Sequence, residues 1–366
     1  MILDVDLRGV VDDVFGDAST VGATAAAGLW ALLSELGWPL VGVAEELGGS
    51  GGDLAAAAEL AAGTGRHAVP VPLIETGVAA WTLAEAGLPV TAAGGQATVA
   101  HALLGQVEAR PVGVDGAWRL AGTVPDVRWL PALDRVVVVT RSPAGATIVA
   151  VLEPAGTPGV AVEAGRDFAD EPLGTLRLDG VVVPAAAVAV APAGLARDVL
   201  DRAAVLRAAA IAGAVERACA LTKEHVGTRH QFGRPLAALP PVRQLIAGMA
   251  VERDLLDAAL AVALARPGHA TAAAARAVAA ACAGAVATGA HQLHGAIGVT
   301  QEYPLHRLTR RLWAWRDEDG SQRRWEEFVG AAVLGGEGDD WLWSLATGAP
   351  AAAGAAAGVA AGAASA

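Results

Sequence analysis

From Leu29 to about Gly95 apolar residues recur at helical spacing, and turn signals break the run into units. Gly48-Gly-Ser-Gly-Gly52 ends one unit, Pro70-Val-Pro72 opens another, and Gly87-Leu-Pro89 closes it. The texture changes between about Ala97 and Val190. Short β-branched runs, Arg135–Thr140, Thr147–Leu152 and Leu176–Val183, stand between Gly, Pro, Ser and Asp clusters and predict a compact β-barrel or sandwich. The pattern turns helical again at Ala191-Pro-Ala-Gly194. Asp198–Thr228, Val242–Arg266 and Ala270–Leu293 predict three long helices, and Pro304–Trp315 and Gln322–Leu334 two shorter ones. The expected fold is mostly α with a β middle domain. Its parts are a helical N-terminal domain over 1–96, a β-barrel or sandwich over 97–190, a C-terminal four-helix bundle over 191–346, and an Ala/Gly-rich disordered tail over 347–366.

Composition narrows this picture without redirecting it. The chain has 366 residues, 54% of them apolar and 17% charged, enough to bury a sizeable core. A net charge of −12, with the basic residues scattered, argues against a nucleic-acid surface. Lys223 is the only lysine. Cys219 and Cys282 lack disulfide or zinc spacing and read as small buried hydrophobes. The stretch Ala259–Ala290 is interrupted by Arg266, Pro267, His269 and Arg276, so it reads as bundle interior and not as a membrane span. The N-terminus is acidic from its fourth residue and has no signal-peptide pattern, so a cytoplasmic location is expected.

Two turns concentrate the chemistry. Arg229-His-Gln-Phe-Gly-Arg-Pro235 and Gln292-Leu-His-Gly-Ala-Ile-Gly-Val-Thr-Gln-Glu-Tyr-Pro-Leu-His-Arg307 follow long helices and can present backbone N–H groups and a guanidinium to an anion. With Leu36–Gly49 and Leu178–Pro184, they resemble the acyl-CoA dehydrogenase family of flavoproteins over roughly Leu36 to Leu334. The resemblance implies an FAD held mainly by a neighbouring subunit. Arg229, Gln231 and Phe232 would contact it from the first turn, and Gln292, Gly295, Ala296 and Gly298 from the second. Ala296 stands where the family usually has a second glycine. Ser321 would be a further cofactor contact. An acyl-CoA thioester would be the substrate, and an electron-transfer flavoprotein the acceptor.

In the family a carboxylate removes the α-proton while hydride leaves the β-carbon. The matching position is Asp319, with Glu318 beside it, followed by Gly320 and Ser321; the family's alternative base position is Ala203. An Asp319-Gly-Ser-Gln322 helix cap explains the same acids equally well. Between Ala97 and Thr123 the family's Thr-Glu-Pro and Gly-Ser-Asp elements are missing, and Trp129 is a remnant of its flavin-facing Trp. The equipment for reaching a neighbour's FAD is thus retained better than that for holding a flavin ring. A partner subunit of a hetero-oligomer (a heterotetramer with a paralogue), a homo-oligomeric enzyme, possession of the fold by a flavin monooxygenase or oxidase, and a purely structural subunit all remain open. The family's mixed assemblies on bulky esters such as steroid side chains favour the first. Two other motifs carry little. Gly48-Gly-Ser-Gly-Gly52 fits a hydrolase elbow but lacks the strand before it, and His291, His294 and His306 lack the acidic surround of a metal site.

Overall fold

The structure, a computed structural model, describes residues 4–16, 23–90, 96–101 and 105–334. The expected tail at 347–366 lies outside them, as does part of the segment that corresponds to the family's Thr-Glu-Pro turn. Four helices open the chain: α1 (Asp4–Gly16), α2 (Ala23–Glu35), α3 (Leu54–Arg66) and α4 (Leu73–Glu85). The Asp53 carboxylate starts α3 by accepting the Ala56 N–H at 2.8 Å. Gly48–Gly52 forms a loop before α3, with no strand-to-helix elbow.

Eight strands follow: β1 (Ala97–His101), β2 (Gln106–Val112), β3 (Ala117–Arg128), β4 (Arg135–Arg141), β5 (Thr147–Leu152), β6 (Val160–Arg166), β7 (Pro172–Val183) and β8 (Val188–Ala191). They form one mixed sheet in the order β6-β7-β3-β2-β4-β5-β8, with β1 parallel to β4. The unbroken apolar run of β4 has a direct cause. Val136 and Val138 face the sheet's own core with Leu120, Ile148 and Leu176, while Val137 and Val139 face the helices, so both sides are buried. β2 and β3 escaped the strand pattern because their outward residues are charged and each contains a proline, Pro111 and Pro125.

The C-terminal part holds α5 (Leu195–Thr228), a short hairpin of β9 (His230–Gln231) and β10 (Arg234–Pro235), α6 (Pro240–Ala265), α7 (His269–His294), α8 (Leu305–Arg316) and α9 (Gln322–Ala332). The predicted helix ends hold to within a few residues. α3 and α5 meet through glycine: a Cβ on Gly65 would lie 1.9 Å from the Ala210 carbonyl oxygen, and one on Gly213 1.9 Å from that of Ala62. By length and composition His269–Val299 could cross a membrane, but most of it is buried inside the protein. Cys282 is buried and Cys219 half-buried; burial pushes their thiols up to about 12 and about 11.

Candidate active site

Val199, Ala203 and Arg207 recur every four residues along one face of α5. That face meets Ile74, Glu75 and Val78 of α4, Thr98, Val99 and His101 of β1, the end of β3 and the turn after α8. The turn brings Glu318 and Asp319 into the same pocket as Ala203, so both base positions implied by the resemblance converge. Asp319 has a left-handed backbone (φ 53°), which a short polar side chain tolerates, and Gly320 follows at φ 110°. Ser321 then caps α9, its hydroxyl accepting the Arg324 N–H at 3.4 Å. The residue that caps the helix is thus Ser321 and neither acid, while Glu318 and Asp319 line the pocket. Trp129 does not line the pocket; it is half-buried and left-handed, with its N–H donated to the Pro172 carbonyl at 2.7 Å.

Sequence reasoning missed the guanidinia that meet these acids. At the end of β3 a register shift between Val124 and Val127, with Asp126 at φ 53°, turns Arg128 inward. Its Nη1 donates to Asp167 at 2.6 Å and to Glu318 at 3.0 Å, its Nη2 donates to Glu171, and its Nε lies 3.5 Å from Glu75. Arg207 donates to Glu75 at 2.7 Å and to Asp319 at 3.1 Å, and Arg311 donates to Glu171 at 2.8 Å. Arg276, with no exposed surface, ties down the turn by donating to the carbonyls of Trp315, Arg316 and Glu318 at 2.6, 3.0 and 2.5 Å. The available signal was a lone charge inside each apolar run: Glu75 after Pro72-Leu-Ile, Arg207 before three alanines, and Arg276 in the Ala-rich α7.

The cluster's electrostatics follow from the imbalance of these charges. Burial disfavours the charge on Arg128, but Glu318, Glu171, Glu75 and Asp167 hold its pKa well above the usual value. Five carboxylates outnumber the guanidinia around them. Burial pushes Glu318 up to about 7, against the pull of Arg128 and Arg207, and Asp319 adds to the rise. His101, bonded through Nε2 to the Ala196 carbonyl, is pushed down to about 4 by burial and is neutral.

This pocket does not fit a flavin ring. The ion pairs leave a void of about 60 Å³, room for a few waters. Beyond the turn an open groove of about 610 Å³ includes Ser321, Arg323 and Arg324 among six carboxylates, of which Asp167, Glu318 and Asp319 are already paired with Arg128 and Arg207 and Asp317 with Arg316.

The other predicted cofactor residues lie elsewhere. Arg207 and Arg229 are 22 residues apart on one helix axis, about 33 Å at 1.5 Å per residue. Phe232 and Gly233 form a hairpin turn with φ 55° and 75°, both left-handed as a type I′ turn requires. Arg229, Gln231 and Arg234 are exposed, and Phe232 is 85% exposed. Gln292, Gly295 and Ala296 are exposed on the second turn, where Gly295 is left-handed at φ 63°. Gly298 is buried, and the need for glycine there is packing: a Cβ would lie 2.8 Å from the His294 Cβ. His291 bonds Thr309, His294 bonds Ala290 and Tyr303, and His306 bonds the Tyr303 carbonyl. Among the described residues no group of three or more His, Cys, Asp or Glu is placed to hold a metal.

A helical layer, a curled sheet and a helical bundle around a carboxylate-bearing pocket define the architecture of the acyl-CoA dehydrogenases. The family model for the acyl-CoA dehydrogenase C-terminal domain matches residues 193–334. Acyl-CoA dehydrogenase IpdE2 of Mycobacterium tuberculosis is 30% identical over 287 residues, covering 77% of this chain and 79% of the relative. Two solved structures are similar throughout. The ChsE4–ChsE5 complex from Mycobacterium tuberculosis has a TM-score of 0.82 at 27% identity, covering 90% of this chain and 96% of that one. A variant of the Tcur3481–Tcur3483 steroid ACAD has a TM-score of 0.80 at 26% identity, covering 91% and 98%. The chain belongs to the acyl-CoA dehydrogenase family, a family of oxidoreductases.

Proposed function

We propose that this chain is the partner subunit of a mixed acyl-CoA dehydrogenase assembly. It offers Arg229, Gln231, Phe232, Gln292 and the Gly295–Gly298 turn to an FAD held by a paralogous subunit. That subunit carries the α,β-desaturation of an acyl-CoA thioester, a bulky one such as a steroid side chain, with an electron-transfer flavoprotein as the class of acceptor. The observation that carries this reading is the ion-pair cluster: at the family's base position both carboxylates are bound by buried arginines, and the void beside them holds no ring. The likeness to a steroid ACAD and to the ChsE4–ChsE5 complex supports a mixed assembly and this substrate class. A cytoplasmic location goes with the reading.

A second reading makes Asp319 itself the base. Its support is the apolar wall of Ile74, Val78, Val99 and Val199 facing it, which suits an acyl chain. It requires Arg207 to release the carboxylate. The absorption spectrum of the chain purified alone separates the two. The partner reading expects no flavin bands and no turnover, and stoichiometric FAD with turnover would sink it.

A further inference from the structure

The two turns offered to a neighbour stand at the ends of different helices, so something must fix their spacing. His225, in the last turn of α5, stacks on His294, the last residue of α7, with centroids 4.5 Å apart and planes 21° from parallel. His294 is held at both nitrogens. Nδ1 donates to the Ala290 carbonyl at 2.8 Å, which leaves Nε2 to accept from the Tyr303 hydroxyl at 3.1 Å. The Tyr303 ring meets His225 edge-on at 6.3 Å. Gly298 lies directly on His294 and His291, so the second turn is seated on this stack. Four residues past His225 the chain enters the Arg229 hairpin.

We propose that His225, His294 and Tyr303 are positioning residues that clamp the Arg229 hairpin to the Gly295–Val299 turn, and that protonation of the histidine pair opens the clamp. The proposal rests on the partner-subunit reading and adds to it a response to acid. The stack suits two neutral rings; two imidazolium ions at 4.5 Å repel each other. Around it, α5 contributes Arg217 and Glu224, the residue just past its end is Arg229, α7 contributes His291, and the start of α8 contributes His306, so basic groups outnumber acidic ones. Burial lowers the pKa of both histidines; for His225 the neighbouring His294 and Arg229 lower it further, and for His294 the Ala290 carbonyl opposes the fall. The clamp's contribution is therefore fully present above the ordinary histidine value and lost as pH falls through the lowered ones.

Two measurements test this. In the full chain with labelled histidines, the imidazole resonances of His225 and His294 should titrate below free histidine, and His225→Phe should shift the titration of His294. In the assembled complex, FAD release should accelerate at least tenfold between pH 7.5 and 5.5. His225→Phe should flatten that dependence, and His225→Arg should give fast release already at pH 7.5. Identical pH profiles for the wild-type and His225→Phe complexes overturn the clamp. So do two histidines that titrate independently at ordinary values. A complex without flavin at any pH fails the partner reading instead, and the resonances still decide the clamp.

Discussion

Arg128 faces Asp167, Glu171, Glu318 and Glu75 from a buried position, and removing it strands carboxylates that are themselves mostly buried. Breaking a buried pair from one side costs about 3–5 kcal/mol. Arg128→Met should lower stability in urea unfolding by that amount. Glu318→Gln should cost less than about 1 kcal/mol at pH 6, because burial raises the pKa of the carboxyl it replaces and so favours its neutral form. The pH sign is specific. A carboxyl raised to about 7 binds more protons folded than unfolded, so its contribution is present below the unfolded value and lost as pH rises through 7. Glu318→Gln should therefore reduce the fall in stability between pH 5 and 8, and an unchanged slope would show that Glu318 is not the group titrating. The resemblance singled out Asp319, Glu318 and Ala203, which the fold brings into one pocket, but the sequence was silent on Arg128 and Arg207. The reason is physical: whether a lone charge is buried depends on partners up to 190 residues away.

At the scale of elements, helices were legible because apolar periodicity is local, whereas β2 and β3 were hidden by polar outward faces and proline. The glycines inside helices were hidden too. Gly213 lies in α5, where alanine would be favoured by about 1 kcal/mol on propensity alone. Its Cβ would strike the Ala62 carbonyl, so α3 and α5 would have to part. Gly213→Ala should destabilise by about 1–3 kcal/mol, the range for overpacking. Gly227 serves as the control in the same helix, since a Cβ there meets nothing within 4 Å. Gly227→Ala should be neutral or stabilising by up to about 1 kcal/mol. Thermal unfolding of both variants checks the pair, and equal effects would show that the α3–α5 approach is not what selects glycine.

Across the whole molecule, the half at Asp319 and the half proposed to meet a paralogue's FAD at Arg229 lie about 33 Å apart, measured along α5. One half is closed by its own charges, and the other is exposed. Phe232, Ile297 and Val299 are exposed at the second, and Leu245, Val251 and Leu255 are exposed on α6. The motifs were legible because backbone turns and guanidinia leave local signatures, but their separation from Asp319 follows only from the length of α5. If the exposed half completes a paralogue's site, changes at the two ends must have different consequences. Arg229→Ala removes a charged donor worth about 1.5–3 kcal/mol. It should therefore weaken FAD retention by the mixed complex at least tenfold, with circular dichroism of the chain unchanged. Asp319→Asn in this chain should leave the complex's flavin content intact and its turnover within about twofold, since the paralogue supplies the base. A complex that keeps its flavin but loses turnover with Asp319→Asn would return the chemistry to this chain. It would also show that the bridge to Arg207 opens during the reaction.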